Sequence, residues 1–378
     1  MINQHPARSV LLVRVSWCID AVTSTERTVT TLAASLATAS HRVVIATATE
    51  QCDGTGLPGV IVEQLDLPVT LPCTSQELRE ALIVGEAKIR HTLSALITRH
   101  RVDIVVFVGV LWGLGRLRAD MPPGVQRVLL VATLAQEQDM PPALAYADTV
   151  IASSEAVLQQ AADAAWPTRQ WRVVPDAFLH DPGRDVSTDR ALRAPQPDGP
   201  VRVLVPPGRD VGVLELVAAA RAWHRTVEVA LSPPGVLDVR GSQTLRQQCH
   251  QIADRAPNIS LCAPPRWETV SGWLARAALV IIACRRPASG LTAIEAMSQG
   301  TPVIAYNTRV LAELLGPVRQ GSRPLLADVM HGPNALLFLA DTLLADRDVY
   351  RATCRAAHSR ARDFHPARIA DLFCSALQ

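Results

Sequence analysis

The sequence predicts an α/β protein with parallel sheets in two domains, and three stretches carry that expectation. Residues 278–307, ALVIIACRRPASGLTAIEAMSQGTPVIAYN, read as a strand buried on both faces (Leu279 to Ala283), a loop, a helix (Gly290 to Gln299) closed by Gly300, and a second buried strand (Val303 to Tyr306). Strand, helix, strand is a βαβ unit, which builds parallel sheets with ligand sites at the strand C-termini. Near the start, Ser9 to Val15 reads as a strand and Glu26 to Ala39 as an amphipathic helix with Val29, Leu32, Ala33 and Leu36 on its apolar face, followed by a strand, Val43 to Thr47. Between these regions, residues 181–200, DPGRDVSTDRALRAPQPDGP, are polar and proline-rich and read as a linker, after which Val201 to Val205 restarts a sheet.

The remaining elements follow in order. Ser24 or Thr25 is placed to cap the first helix. Residues 50–75 are turn-rich, Gln76 to His100 is one long helix or two, and Val102 to Val108 and Val125 to Ala132 are strands. Beyond the linker come a helix (Val213 to His224), a strand (Thr226 to Ser232), a helix (Thr244 to Ala256), a short strand (Asn258 to Cys262) and a helix (Trp267 to Ala277). After the 278–307 unit, Leu325 to Leu344 and Asp346 to Asp363 are helical, and Ala367 to Leu377 is the last helix. The expected division is 1–180, linker 181–200, 201–363 and a terminal segment 364–378.

Composition narrows the function classes. The 378 residues are 48% hydrophobic, enough for two cores, and the net charge of +2 is too small to argue for a nucleic-acid partner. Lys88 is the only lysine, so a phosphate site must use guanidinium groups or backbone amides. Eight scattered cysteines form no C-x-x-C pair and have no histidines at zinc spacing, which points to reduced thiols and to no metal site. Residues 1–8, MINQHPAR, run straight into a strand without a signal-peptide pattern, and no apolar run reaches the roughly 18–20 residues of a membrane span. The expectation is a soluble, cytoplasmic chain.

The loop of the 278–307 unit suggests chemistry. The amides of Ser289, Gly290 and Leu291 open a helix, so they are unpaired donors backed by the helix dipole, a ready anion site. Arg285 and Arg286 stand one turn upstream, and Glu295, one turn into the helix, can accept two hydrogen bonds from a diol such as a ribose. The same pattern also fits a plain βαβ unit with a solvated glutamate.

Leu291 to Ala305, LTAIEAMSQGTPVIA, resembles the nucleotide-sugar segment of GT-B glycosyltransferases, family 4 in particular, whose pattern is E-G-F-G-L-x-x-x-E-A-M-A-x-G-x-P-V-I-A. Glu295, Ala296, Met297, Gly300, Pro302, Val303, Ile304 and Ala305 match it, while Pro287 stands where the first glutamate contacts the donor sugar. The segment Thr23-Ser24-Thr25-Glu26-Arg27 resembles the family's G-G-x-E-R, with Thr23 and Ser24 in place of the glycines that approach the donor phosphates and Ser40 in place of a later glycine. Gly208-Arg209 matches G-R, whose arginine binds the leaving diphosphate, and Val211-Gly212 occupies the place of K-G, so the lysine is absent. Gly109-Val110 and Ala135 stand where members often carry histidines. Ala147 to Ser154 and Arg172 to Ala177 match the last strands of the first domain, and Phe364-His365-Pro366 the closing F-S-W before a helix that in the family crosses back to that domain.

The resemblance implies a GT-B fold, two Rossmann-like domains with parallel sheets facing a central cleft, and a retaining, metal-independent glycosyltransferase. No cofactor is implied beyond the donor itself, a UDP- or GDP-linked nucleoside diphosphate sugar. Arg209 would be the catalytic charge; Gly208, Arg285, Ser289, Gly290, Leu291, Glu295, Thr23 and Ser24 would bind the donor. A small-molecule acceptor, in natural-product or cell-envelope glycoside synthesis, would bind near Trp17, Asp20, Trp112 and Glu137. No nucleic-acid partner or membrane span is expected, and a homo-oligomer is left open. The alternative, favoured by Pro287 and Val211, is a catalytically inactive homologue acting as partner or scaffold.

Overall fold

Val10 to Val13 are wholly buried aliphatic residues, and with Ser9 they form β1 (Ser9–Val13), the first strand laid down in the first sheet. The computed structural model describes residues 6–20, 24–49, 56–71, 73–109, 121–134, 140–179, 197–205, 212–232, 239–285, 290–316 and 325–378. The chain folds as two compact units, Met1–Leu179 with His365–Gln378, and His180–Phe364. Of the expected linker, 181–196 lies outside the described residues.

In the first unit, α1 (Ser24–Thr38), β2 (Arg42–Thr47), β3 (Val60–Gln64), α2 (Ser75–His100), β4 (Ile104–Val108), β5 (Gln126–Val131), α3 (Met140–Tyr146), β6 (Thr149–Ala152), α4 (Glu155–Asp163) and β7 (Arg172–Val173) follow β1. The seven strands are parallel, in the order β3-β2-β1-β4-β5-β6-β7, with Leu12 in register with Ile45 on one side and Val106 on the other. The order reverses between β1 and β4, the switch point where doubly wound sheets bind ligands. The region 75–100 is one helix, opened by a reciprocal capping box in which Thr74 accepts from the Glu77 amide and Glu77 accepts from the Thr74 amide.

The second unit repeats the plan with β8 (Val201–Val205), α5 (Val213–Ala220), β9 (Val227–Leu231), α6 (Val239–Ala253), β10 (Ile259–Cys262), α7 (Trp267–Ala275), β11 (Leu279–Ile282), α8 (Leu291–Ser298), β12 (Val303–Tyr306), α9 (Arg309–Leu315), β13 (Leu326–Ala327), α10 (Gly332–Leu344) and α11 (Arg347–Ala361). Its order is β10-β9-β8-β11-β12-β13, again all parallel, with the switch point between β8 and β11. The core is aliphatic, from Val201, Val203, Leu279, Ile281 and Ile304, closed by Leu336, Leu343 and Tyr350 from α10 and α11. The chain ends in α12 (Pro366–Ala376), which belongs with the first unit and packs on α1, with Ile369, Ala370 and Phe373 buried.

Three expectations about elements change. The turn-rich 50–75 region holds β3, an edge strand whose mixed burial hides the alternation expected of a half-buried strand. Residues 325–344 are not one helix, because Leu326–Ala327 pair with β12 and Gly332 takes φ 64°, so α10 begins only there. Ser24 and Thr25 are helical and so lie inside the first turn of α1 rather than capping it.

Candidate active site

The second unit's switch point is built by close backbone approach. Gly212, with φ 69°, precedes α5, and a Cβ on it would stand 2.2 Å from the Ala283 carbonyl oxygen at the end of β11. Only glycine meets both demands, a left-handed backbone and contact without a side chain. The start of α5 is thereby pressed against the segment Ala283-Cys284-Arg285.

From that segment the chain reaches Gly290 and α8. A Cβ on Gly290 would stand 1.7 Å from Leu314 Cδ1, so glycine there lets α8 begin flush against α9. At its other end, α8 closes on a Schellman motif. Gly300, at φ 71°, donates to Met297 O at 2.9 Å, and Thr301 donates to Ala296 O at 3.0 Å. The helix is eight residues long and almost wholly buried, Glu295 included at 2% exposure. The solvated glutamate is therefore corrected: this carboxylate sits inside the unit; the Ser298 hydroxyl donates to the backbone carbonyl of Glu295 at 2.7 Å, a bond within the last turn of α8. A buried carboxylate is costly unless polar partners or a ligand meet it.

Arg285 leaves β11 beside Tyr306, the last residue of β12, and its Nη2 lies 3.6 Å from Glu215 Oε1 in the first turn of α5. Tyr306 is fully buried. Burial pushes its hydroxyl above the usual phenol range, the charge of Arg285 and a side-chain hydrogen bond with it pulling it back and Glu215 adding to the rise. Arg285, Gly290, Leu291 and Glu295 thus share one β–α connection. Gly208, Arg209, Val211, Arg286, Pro287 and Ser289 lie outside the described residues.

The first unit's switch point is also charged inside. Arg14, just past β1 and 4% exposed, donates from Nη1 to Val108 O at 3.3 Å, tying the ends of β1 and β4 together. Burial pulls its pKa down and the Glu26 carboxylate opposes that, so a buried Arg–Glu couple underlies the start of α1. Gly109, at φ 83°, leaves room for that guanidinium, since a Cβ there would lie 3.4 Å from Arg14 Nη1. Trp17 is fully buried, its Nε1 donating to Thr30 Oγ1 at 3.0 Å. Its ring is therefore core, which corrects its expected place against an acceptor. Asp20 is exposed, and Ser24 opens α1. Thr23, Trp112, Glu137, Val110 and Ala135 lie outside the described residues.

Arg14, Glu215 and Tyr306 were not among the expected site residues. A signal existed for Arg14, an arginine within a run otherwise suited to burial on both faces. Glu215 is one of many helix glutamates, and only the tertiary approach of Gly212 to Ala283 brings it to Arg285. Among the described residues no group of three or more His, Cys, Asp or Glu is placed to hold a metal ion, and no helix is long and apolar enough to cross a membrane.

Two doubly wound parallel sheets, each followed through the same strand order, define the class: a two-domain Rossmann-like GT-B fold. Within it, residues 138–368 match the model of a family described as Family 4 Glycosyltransferase in conflict systems, and the chain belongs to that family. A sucrose-phosphate synthase from Thermosynechococcus elongatus is 20% identical with TM-score 0.74, covering 97% of this chain and 98% of that one. HepE of Anabaena, solved in complex with UDP and glucose, is 16% identical with TM-score 0.73, covering 98% and 99%. An α,α-trehalose-phosphate synthase (UDP-forming) from Burkholderia vietnamiensis is 12% identical with TM-score 0.68, covering 99% and 97%. At these identities the likeness is one of fold. No curated protein matches the sequence.

Proposed function

We propose that this glycosyltransferase moves a sugar from a nucleoside diphosphate sugar to a small-molecule acceptor with retention of configuration and without a metal. The observation that carries this reading is the β11–α8 connection. A helix start, an arginine at the end of the strand that leads to it and a buried carboxylate one turn in would supply, within one βα unit, an anion site and a diol acceptor. Arg285, Arg209 and the α8 amides would stabilise the charge that develops on the departing diphosphate, which is how such a site lowers a barrier without a metal. Glu295 would accept from the ribose hydroxyls. In the retaining mechanism of the family, the anomeric carbon–phosphate oxygen bond breaks as the acceptor oxygen bonds on the same face. The acceptor proton passes to the departing phosphate oxygen, so no histidine base is needed.

The relatives solved with UDP, or described as UDP-forming, favour a UDP-linked donor over a GDP-linked one. The missing first glutamate, replaced by Pro287, favours a donor sugar lacking the hydroxyls that glutamate would hold. It also supports the second reading, an inactive homologue serving as partner or scaffold. A thermal-shift screen with UDP, GDP, ADP and dTDP, without added metal, separates them. A ligand at 100 times its dissociation constant adds about 2.7 kcal/mol. One nucleotide raising the transition supports the transferase; no shift from any of the four leaves the scaffold reading.

A further inference from the structure

Glu295 sits within a helix of only eight residues, and both ends of that helix are held from α11. At the far end, His358 Nδ1 lies 3.2 Å from Ser298 O, the last carbonyl of α8. A carbonyl only accepts, so Nδ1 carries the hydrogen and donates, as it can in the neutral and the charged ring alike. The Ser298 hydroxyl in turn donates to Glu295 O at 2.7 Å, and Gln299 Nε2 donates to that hydroxyl at 3.1 Å. At the near end, Gly290 lies flush against Leu314 of α9. Leu314 is held by a second α11 side chain. Arg360 donates from Nε to Leu314 O at 2.9 Å and from Nη2 to Glu313 O at 2.8 Å. Asp363 Oδ2 braces its Nη1 at 2.6 Å, and the guanidinium lies 5.0 Å from the centre of the Phe364 ring. A Cβ on Gly316, which ends α9 at φ 70°, would stand 3.4 Å from Arg360 Nε, so that turn is shaped to the guanidinium.

We infer that His358 and Arg360 are positioning residues for Glu295: by capping the last carbonyls of α8 and α9 they fix where the carboxylate stands, and so how well it meets a diol. This inference rests on the reading of Glu295 as the ribose acceptor, and every residue of the clamp is among the described ones. An eight-residue helix is marginal by itself and takes its place from packing. A carboxylate that receives two hydroxyls must be held to within about 0.5 Å. The last-turn carbonyls have no partner inside their own helices, and basic side chains suit the negative end of the helix dipole.

The test compares, by calorimetry on the full chain, UDP (or whichever of the four nucleotides the thermal screen selects) with its 2′,3′-dideoxy analogue. H358L is expected to shrink the preference for the diol by about two- to ten-fold, the worth of one hydrogen bond. H358N, whose Nδ2 stands where Nδ1 stood, is expected to keep that preference. Helix propensity favours leucine over asparagine, so an effect through the stability of α11 alone would run the other way. R360K keeps the charge but loses the fork, and is expected to shrink the preference by a similar factor. In the E295A background neither H358L nor R360K should matter. Hydrogen exchange reads the clamp without a ligand: the amides of Gln299, Gly300 and Thr301, which close α8 on Ala296 O and Met297 O, should exchange about two- to ten-fold faster in H358L and not in H358N. Unchanged exchange or an unchanged diol preference in H358L, or equal losses for the nucleotide and its dideoxy analogue, overturns the inference and leaves the ribose reading standing. No preference for the diol in the unsubstituted chain sinks the ribose reading together with the inference.

Discussion

Gly212→Ala is the substitution whose cost the geometry sets most sharply. Alanine at φ 69° costs about 1–2 kcal/mol from the left-handed backbone alone. Its Cβ would also stand 2.2 Å from the Ala283 carbonyl oxygen and 3.3 Å from the carbonyl carbon, both backbone atoms. Those atoms cannot step aside cheaply, because Ala283 directly follows β11, which is paired with β8 and β12. Relieving such an overlap by backbone movement costs about 1–3 kcal/mol more. The total is about 2–5 kcal/mol, measured as the shift in urea denaturation of the full chain. Gly59→Ala is the control. Gly59 also has a left-handed backbone, φ 76°, but its Cβ would meet only Ala37 Cβ at 3.5 Å, an ordinary contact. It should cost only the backbone part, about 1–2 kcal/mol. The alanine at 212 should also weaken UDP, since it displaces the segment leading into Arg285, whereas the control should not. If the two variants lose the same stability, α5 does not start against β11.

Other outcomes follow from the same structure. Gly290→Ala meets a side chain rather than backbone, Leu314 Cδ1 at 1.7 Å, so it should destabilise by about 1–3 kcal/mol and be rescued in part by Leu314→Ala; no rescue would show that another contact is responsible. Arg209→Ala should weaken UDP far more than uridine, and equal losses would remove it from the diphosphate site. Cys249 and Cys354 are buried thiols, each pushed up to about 11 by burial. Unfolded thiols ionise near the ordinary value of 9.0 while the folded ones stay protonated, so their contribution is complete below pH 9 and is lost as pH rises towards 11. Stability should fall by about 2 kcal/mol per thiol across that window, and Cys249→Ala should flatten the slope; an unchanged slope would mean the Cys249 thiol ionises as readily folded as unfolded.

Much of the fold was readable because parallel strands buried on both faces are long aliphatic runs. LLVRV, VRVLV and VIIAC cannot be mistaken for loops, and helices between them leave little choice but a doubly wound sheet. What escaped was set at edges and by tertiary contact. β3 and β13 are edge strands with weak patterns, and β13 is only two residues long. Glu295 could be placed on its helix from the sequence, but whether it was solvated depended on the packing of α7, α9 and α11 around α8, which no local pattern records. Trp17 looked like a loop aromatic free to meet a ligand; in the fold, Thr30 on α1 takes its indole N–H and the ring joins the core. Glu215 carries no local signal, because it meets Arg285 only through the Gly212–Ala283 approach, and Tyr306 reaches it only through the pairing of β12 with β11.

The proposed function puts a nucleoside diphosphate at the β8–β11 switch point with its ribose on Glu295. Its most direct test is a two-by-two calorimetric cycle, with the nucleoside diphosphate that raises the melting temperature and its 2′,3′-dideoxy analogue, each on the unsubstituted chain and on Glu295→Ala. Hydrogen bonds to a charged group are worth about 1.5–3 kcal/mol, so removing the diol should cost roughly 10- to 100-fold on the unsubstituted chain. On Glu295→Ala the diol should make almost no difference. The same loss on both proteins would mean that Glu295 does not hold the ribose and that the nucleotide binds elsewhere.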